Sequence, residues 1–493
     1  MEDLYDVAII GSGLGSLTAA CLLAKEGKKV LVLEQNYLPG GCTSSYWRKG
    51  FVFEAGATTL VGLDKNMPLR YLLDEIGLDL AAIPLELPMQ VHLSDNTIIN
   101  KYQPINQWIT EAERVFGVKN QRKFWEFCYK ISQFVWQTSL EQTAFPPAKF
   151  ADFWHTLKNV SFQQLRYGAY SLMSMKKLLE QYGLADNQKF ISYLNEQLLI
   201  TAQNNISEVN VLFGATALCY TNFGNYYVNG GLINLINPLL QYLENQGATV
   251  LLRHDVKKIS FHTDTFTLQC TEKLQIPKNF QAKFLISGIP VNNLVEIYQD
   301  TRMKRLKKLP TLLPSEKLNS AFQMGIGFKP HRDFESIHHQ IILPNVMPET
   351  NSASIFMSLS HDKDLSRSDK EGLRVASIST HLHNPANKTV FDKQVAENFV
   401  FETLEKHNLI LRKNVVYHHS SEAQAWEKWT KRKFGFVGGY PQYFNIKPWD
   451  MNEARFDGHK AYLCGDTVYP GQGIPGVVLS GIIAVQKLKL DWF

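Results

Sequence analysis

The sequence predicts an α/β protein in which a Rossmann-like dinucleotide-binding domain is interleaved with an α+β substrate domain. Three observations predict it. Residues 5–34 read as strand, glycine turn, helix and strand; residues 461–488 read as a strand and a second glycine-rich turn feeding a helix; residues 224–261 add a turn, a helix and two strands.

Composition sets the outer bounds. The 493 residues are 45% hydrophobic and 20% charged, which supports a sizeable core and excludes a disordered, collagen-like or disulfide-stapled chain. The net charge of +5 is small for this length, so no nucleic acid is expected as a partner. Cys21, Cys42, Cys128, Cys219, Cys270 and Cys464 form no C-x-x-C pair, which argues against a zinc site or dithiol motif and for a reduced compartment. The acidic start, Met1 to Tyr5, is unlike a secretory signal, and no window holds about 18 uninterrupted apolar residues. The expectation is a cytoplasmic protein, with contact at a membrane surface left open.

The first element, residues 5–11, is an apolar run of the buried parallel-strand type. Gly11 permits the tight turn after it and Gly13 lets the backbone approach a pyrophosphate, while the following helix presents free N–H groups at its start. Ser16 holds the place of the third fingerprint glycine and is nearly as small, and Gly15 beside it helps the chain bend. The helix stops at Gly27, and residues 28–34 return to strand and end on Glu34, 21 residues after Gly13, where a carboxylate can take ribose hydroxyls. A glycine-rich turn of an unrelated α/β domain is the plain alternative. The fingerprint alone leaves NAD and FAD open.

A second turn, Pro39-Gly40-Gly41-Cys42, and a short β segment from Gly50 through Phe51, Phe53 and Glu54 to Gly56 and Ala57 follow. With these residues the chain resembles the flavin-dependent phytoene desaturase, carotenoid isomerase and retinol saturase family, within the wider glutathione-reductase-like and amine-oxidase-like flavoproteins. Glu54 stands where that family has aspartate. The end of the chain agrees: Cys464-Gly465-Asp466, then Pro470-Gly471-Gln472-Gly473-Ile474-Pro475-Gly476, resembles the family's closing flavin motif. Asp466 at a strand end can bond a ribityl hydroxyl, and a helix starting near Gly476 can stabilise negative charge on a reduced flavin ring. Between the two ends, Asn229-Gly230-Gly231, a helix and two strands resemble the family's middle segment, which implies that the backbone of Val256 lies near the adenine.

The resemblance implies FAD as cofactor and a discontinuous FAD-binding domain of residues 1–90, 220–300 and 455–493. Residues 91–219 and 301–454 are left for the substrate domain. It also implies an oxidoreductase acting on an apolar, conjugated polyene, a carotenoid or retinoid-like lipid, by desaturation. Its branch is most like the carotenoid C-3',4'-desaturases. Cis-trans isomerisation and saturation with reduced flavin are the alternatives, with an amine oxidase and a non-catalytic prenyl escort protein ranked lower. No second G-x-G-x-x-G occurs, so no nicotinamide domain is expected and the electron acceptor is left among oxygen, a quinone and a protein.

Other features have a plain and a chemical reading. Arg48 faces the flavin or its phosphates, or solvent. Cys42 is a packed thiol, and no metal is assigned to His361, His381 and His383, which lack patterned carboxylate partners. The aromatic helical stretch from Phe124 to Tyr182 is a core or lies against an apolar substrate or membrane interface. Arg302, Lys304, Arg305, Lys307 and Lys308 form a solvated helix face or meet anionic headgroups. Thr430-Lys431-Arg432-Lys433-Phe434-Gly435 resembles a family segment bordering the flavin, with no readable role, and no catalytic side chain is identified.

Overall fold

The computed structural model describes residues 4–272, 276–299 and 312–493; the basic run 302–308 lies outside the described residues. The strand Leu4–Ile10 (β1), the helix Leu14–Lys25 (α1) and the strand Val30–Glu34 (β2) form the first unit. A seven-stranded sheet runs in the order Thr249–Leu252, β2, β1, Pro277–Ser287, Thr265–Thr271, Asp255–His262, with Ala461–Leu463 also paired to Pro277–Ser287. Its central pairings are parallel and β2 is buried along its whole length, as an unbroken apolar run requires. Three remote stretches of chain therefore meet in one sheet.

α1 is buried from Leu14 to Ala24 because it lies between this sheet and the C-terminal helix Ile474–Trp492. Gly15 and Gly481 mark the crossing: a Cβ on Gly15 would fall 2.9 Å from the Val477 carbonyl oxygen, and one on Gly481 clashes with the Gly15 carbonyl. Gly15 thus serves the helix crossing, where the sequence reading gave it a bend in the turn.

A second seven-stranded sheet runs Val415–Ser421, Asn319–Phe328, Arg374–His383, Ser354–Leu359, His338–Ile342, Met89–His92, Ile98–Lys101. It is antiparallel except where His338–Ile342 meets Met89–His92. The hairpin of Ser45–Arg48 (β3) and Phe51–Glu54 (β4) lies on this sheet. Gly325 and Gly327 permit that contact, because a Cβ there would run into the rings of Phe53 and Phe51. The hairpin that follows the second glycine turn is thereby fixed against the sheet of the other half.

The aromatic helical stretch divides. Helix Gln121–Ser139 packs against Ile105–Phe116 and Val211–Leu218, and Trp108, Phe124, Trp125, Phe190 and Tyr193 are fully buried in one cluster. Each such ring removes roughly 150–250 Å² from water, so this part is core. Helices Phe150–Lys158 and Phe162–Gly168 instead display Phe150, Phe153, Trp154, Leu157, Phe162 and Leu165 to the outside. No helix among the described residues is long and apolar enough to cross a membrane.

Candidate functional site

Two glycine turns touch at the C-terminal edge of the first sheet. Gly13, the residue before α1, bridges to Gly40, and a Cβ on Gly41 would sit 3.4 Å from the Gly13 Cα. Gly11 and Gly40 hold the left-handed φ that such turns need, at 86° and 95°. A Cβ on Gly13 would meet nothing within 4 Å, so the start of α1 faces open space. Free helical N–H groups bordering a space without side chains form an anion cradle.

Glu34 closes one end of it. Its buried carboxylate accepts from the Ser12 N–H and hydroxyl, both at 2.8 Å, and from the Asn36 N–H at 2.8 Å. Ser12, the residue between the fingerprint glycines, was not among the predicted site residues; its small hydroxyl in the G-S-G turn is the signal that points to it. Ser16 packs α1 inward, since a Cβ on Gly288 clashes with its hydroxyl, and lies 4.0 Å from the Cys464 sulfur. Val256 is buried, two residues past His254, whose N–H donates to the Glu34 carbonyl at 2.8 Å.

At the other end, Gly465 turns at φ 100° and donates its N–H to the Ser480 hydroxyl at 2.8 Å. The C-terminal helix starts at Ile474, two residues before the predicted Gly476, with Gly473 ahead of it and no side-chain cap. The N–H groups of Ile474 and Gly476 belong to that uncapped first turn. Asp466 pairs with Arg432, Nη2 to a carboxylate oxygen at 2.9 Å. Burial opposes the Arg432 charge, yet Asp466 beside it holds the guanidinium protonated and raises its pKa. Burial pushes the Cys42 thiol up, so it stays neutral.

Gly56 abuts the Cys42 carbonyl and also lines a narrow cleft between the hairpin and the second sheet, with Tyr46, Gln323, Met324, Ser379 and His419. Tyr46 Oη and His419 Nε2 lie 2.7 Å apart. Burial pushes the Tyr46 phenol up to about 12 and His419 down to about 4, the latter helped by the Arg48 charge, so both are neutral near pH 7. Arg48 itself is exposed at the hairpin turn, where its charge is felt by Tyr46 and His419. Among the described residues no group of His, Cys, Asp and Glu is arranged to hold a metal.

An elongated dinucleotide fits these residues: open space and free N–H groups in the middle, a buried acid at one end, an uncapped helix start and a buried ion pair at the other. A family model described as flavin containing amine oxidoreductase matches residues 17–489. The chain is 26% identical over 511 residues to prolycopene isomerase 1, chloroplastic, of an Oncidium hybrid cultivar, covering 99% of this chain and 84% of that one. It is 29% identical over 272 residues to all-trans-retinol 13,14-reductase of Danio rerio, covering 52% and 42%. With 4,4'-diapophytoene desaturase (4,4'-diaponeurosporene-forming) of Staphylococcus haemolyticus it shares 22% over 520 residues, covering 98% and 99%. The solved structure of putrescine oxidase bound to putrescine superposes with a TM-score of 0.64 at 15% identity, covering 99% of each chain.

Proposed function

The chain belongs to the flavin containing amine oxidoreductase family and is an FAD-dependent oxidoreductase, and from that premise we propose that it acts on a conjugated polyene, a carotenoid or retinoid-like lipid, by desaturation. Isomerisation is the second reading, favoured by the long match to a prolycopene isomerase. That match is also the observation that carries the polyene reading. The cleft supports it: among its described lining residues Glu54 is the one carboxylate, and Arg367 neutralises it at 2.7 Å inside the protein. A protonated amine finds no free countercharge there.

When bound, FAD supplies a two-electron acceptor or donor beside the substrate. The chain's own residues do the holding. Glu34, oriented by Ser12, takes the adenosine ribose near Val256; Gly11, Gly13, Gly40 and Gly41 leave room for the pyrophosphate at the start of α1. Asp466 and Gly465 meet the ribityl chain, and the first turn after Gly473, with Ile474 and Gly476, presents its N–H groups to the ring. Residues 1–90, 220–300 and 455–493 act as the FAD-binding domain in this reading.

A membrane surface is the source of so apolar a substrate. Phe150 and Phe162 are 81% and 83% exposed on adjacent helices, flanked by Lys158 and Arg166. Rings that dip into the headgroup region with basic neighbours suit an interfacial helix pair. Replacing both, F150S and F162S, is expected to lower binding to anionic vesicles severalfold in a flotation assay while FAD stays bound. Undiminished binding removes this surface from the proposal.

The reaction is tested by incubating the FAD-loaded protein anaerobically with carotenoids and retinol, with the flavin oxidised or chemically reduced, and weighing the products. A product two hydrogens lighter means desaturation, an unchanged mass with a shifted spectrum means isomerisation, and two hydrogens heavier means saturation. Amine oxidation with every polyene untouched refutes the substrate class. The same incubation with oxygen, a quinone or a redox protein readmitted one at a time identifies the electron acceptor.

A further inference from the structure

Arg432 is a buried cation whose hydrogen bonding is incomplete. Its side chain is only 10% exposed, and Nη2 holds the Asp466 carboxylate at 2.9 Å. Nη1 is buried with no partner. An unmet buried donor costs about 1–3 kcal/mol, and more when it is charged, so a strap of chain that keeps one in place implies an acceptor that completes it.

The strap is firmly seated. Lys431, Phe434, Gly435, Gly438 and Gly439 all adopt left-handed backbone, and Gly439 presses so closely on Asp466 that a Cβ would clash with its carbonyl. The guanidinium stacks at 4.9 Å over Phe436, and its charge is felt by the Cys42 thiol. Arg432 therefore stands between the second glycine turn and the C-terminal turn.

Those turns supply no countercharge of their own. Residues 11–16, 40–45 and 465–476 contain no Lys or Arg. A dinucleotide pyrophosphate carries two negative charges, against roughly half a positive charge from a helix start. A planar guanidinium can share its two edges between a carboxylate and a phosphate, as an ammonium cannot.

We propose that Arg432 is the countercharge for the FAD pyrophosphate, holding Asp466 through Nη2 and a phosphate oxygen through Nη1. The proposal rests on the FAD reading of this site. It takes a residue the sequence left without a role and makes it the link between the two halves of the cofactor cradle.

The test uses the full-length protein loaded with FAD and the variants Arg432→Met and Arg432→Lys. The FAD dissociation constant is measured by equilibrium dialysis with fluorescence of the free flavin, and the midpoint potential by anaerobic titration. Arg432→Met is expected to weaken FAD at least tenfold, about 1.4 kcal/mol, with Arg432→Lys recovering part of the loss and the potential unchanged in both. Unchanged affinity overturns the proposal. So does a lowered potential at unchanged affinity, which puts the guanidinium at the ring. If Arg432→Met is unfolded by circular dichroism, Arg432→Lys decides alone, and affinity equal to the parent overturns the assignment. A parent protein that takes up no FAD refutes the cofactor reading itself, an outcome distinct from these.

Discussion

Asp152 is a fully buried charge outside the glycine turns, and Asp152→Asn measures what it contributes. It sits on the helix Phe150–Lys158, yet its side chain is fully buried. One oxygen lies 2.6 Å from Arg455 Nη1 and 2.9 Å from Lys487, the other 2.8 Å from Arg455 Nη2. Asp491 also holds Arg455, at 2.7 Å, and Lys149, at 2.9 Å, while Glu453 lies 3.4 Å from Arg455. The substitution removes the carboxylate that lies between Arg455 and Lys487, both buried, and leaves their charges less compensated. Breaking a buried pair costs about 3–5 kcal/mol, and asparagine, which keeps the shape, falls near about 3 kcal/mol. With an unfolding entropy of about 2.1 cal/mol/K per residue, unfolding of all 493 residues together converts this to a fall in Tm of about 3 °C. Burial pushes the Asp152 carboxyl up, but Arg455 and Lys487 outweigh it and hold it well below the usual carboxylate range. A lowered folded-state pKa stabilises above the unfolded value near about 3.9 and is lost as pH falls below it, so the gap between parent and variant persists from pH 7 to about pH 5 and narrows below about pH 4. Scanning fluorimetry across that range measures it. An unchanged Tm at pH 7, or a gap that acid does not narrow, refutes the reasoning.

Neighbouring glycines separate binding from packing. Gly13→Ala, at φ −63° and facing open space, is expected to leave Tm within about 1 °C of the parent and to weaken FAD at least about tenfold by dialysis. Gly15→Ala, blocked by the Val477 carbonyl at 2.9 Å, is expected to lose about 1–3 kcal/mol in urea unfolding of the apoprotein. The buried histidines make the second sheet sensitive to acid: burial, with His407 nearby, lowers His92 to about 4, and burial lowers His338 to about 3. Such groups bind their protons on unfolding, so stability is full above the unfolded value of about 6.5 and falls below it by up to about 1.4 kcal/mol per pH unit for each. His92→Gln is expected to flatten the urea stability curve between pH 6.5 and 5; an unaltered slope removes His92 from this account.

The glycine turns were legible because their chemistry is local. Gly11, Gly13 and Glu34 lie within one βαβ unit, and strand, turn and acid follow from neighbours in the chain. The closing motif at Gly465-Asp466 was legible for the same reason. Arg48 was not, because whether a cation in a hairpin faces a ligand depends on which sheet the hairpin lies against. The aromatic stretch was ambiguous in principle: Trp125 and Phe153 have the same helical spacing, and only the presence of Trp108 and Phe190 around the first makes it core.

By itself the sequence determined the opening βαβ unit, the closing glycine turn and the cofactor class, since each is written in short-range pattern. The tertiary structure alone decided that Arg432 meets Asp466, that Asp152 is buried against Arg455 some 303 residues away, and that Phe150 and Phe162 face outward. A cation's partner and a ring's exposure are properties of what folds against them, and residues distant in the chain supply those neighbours.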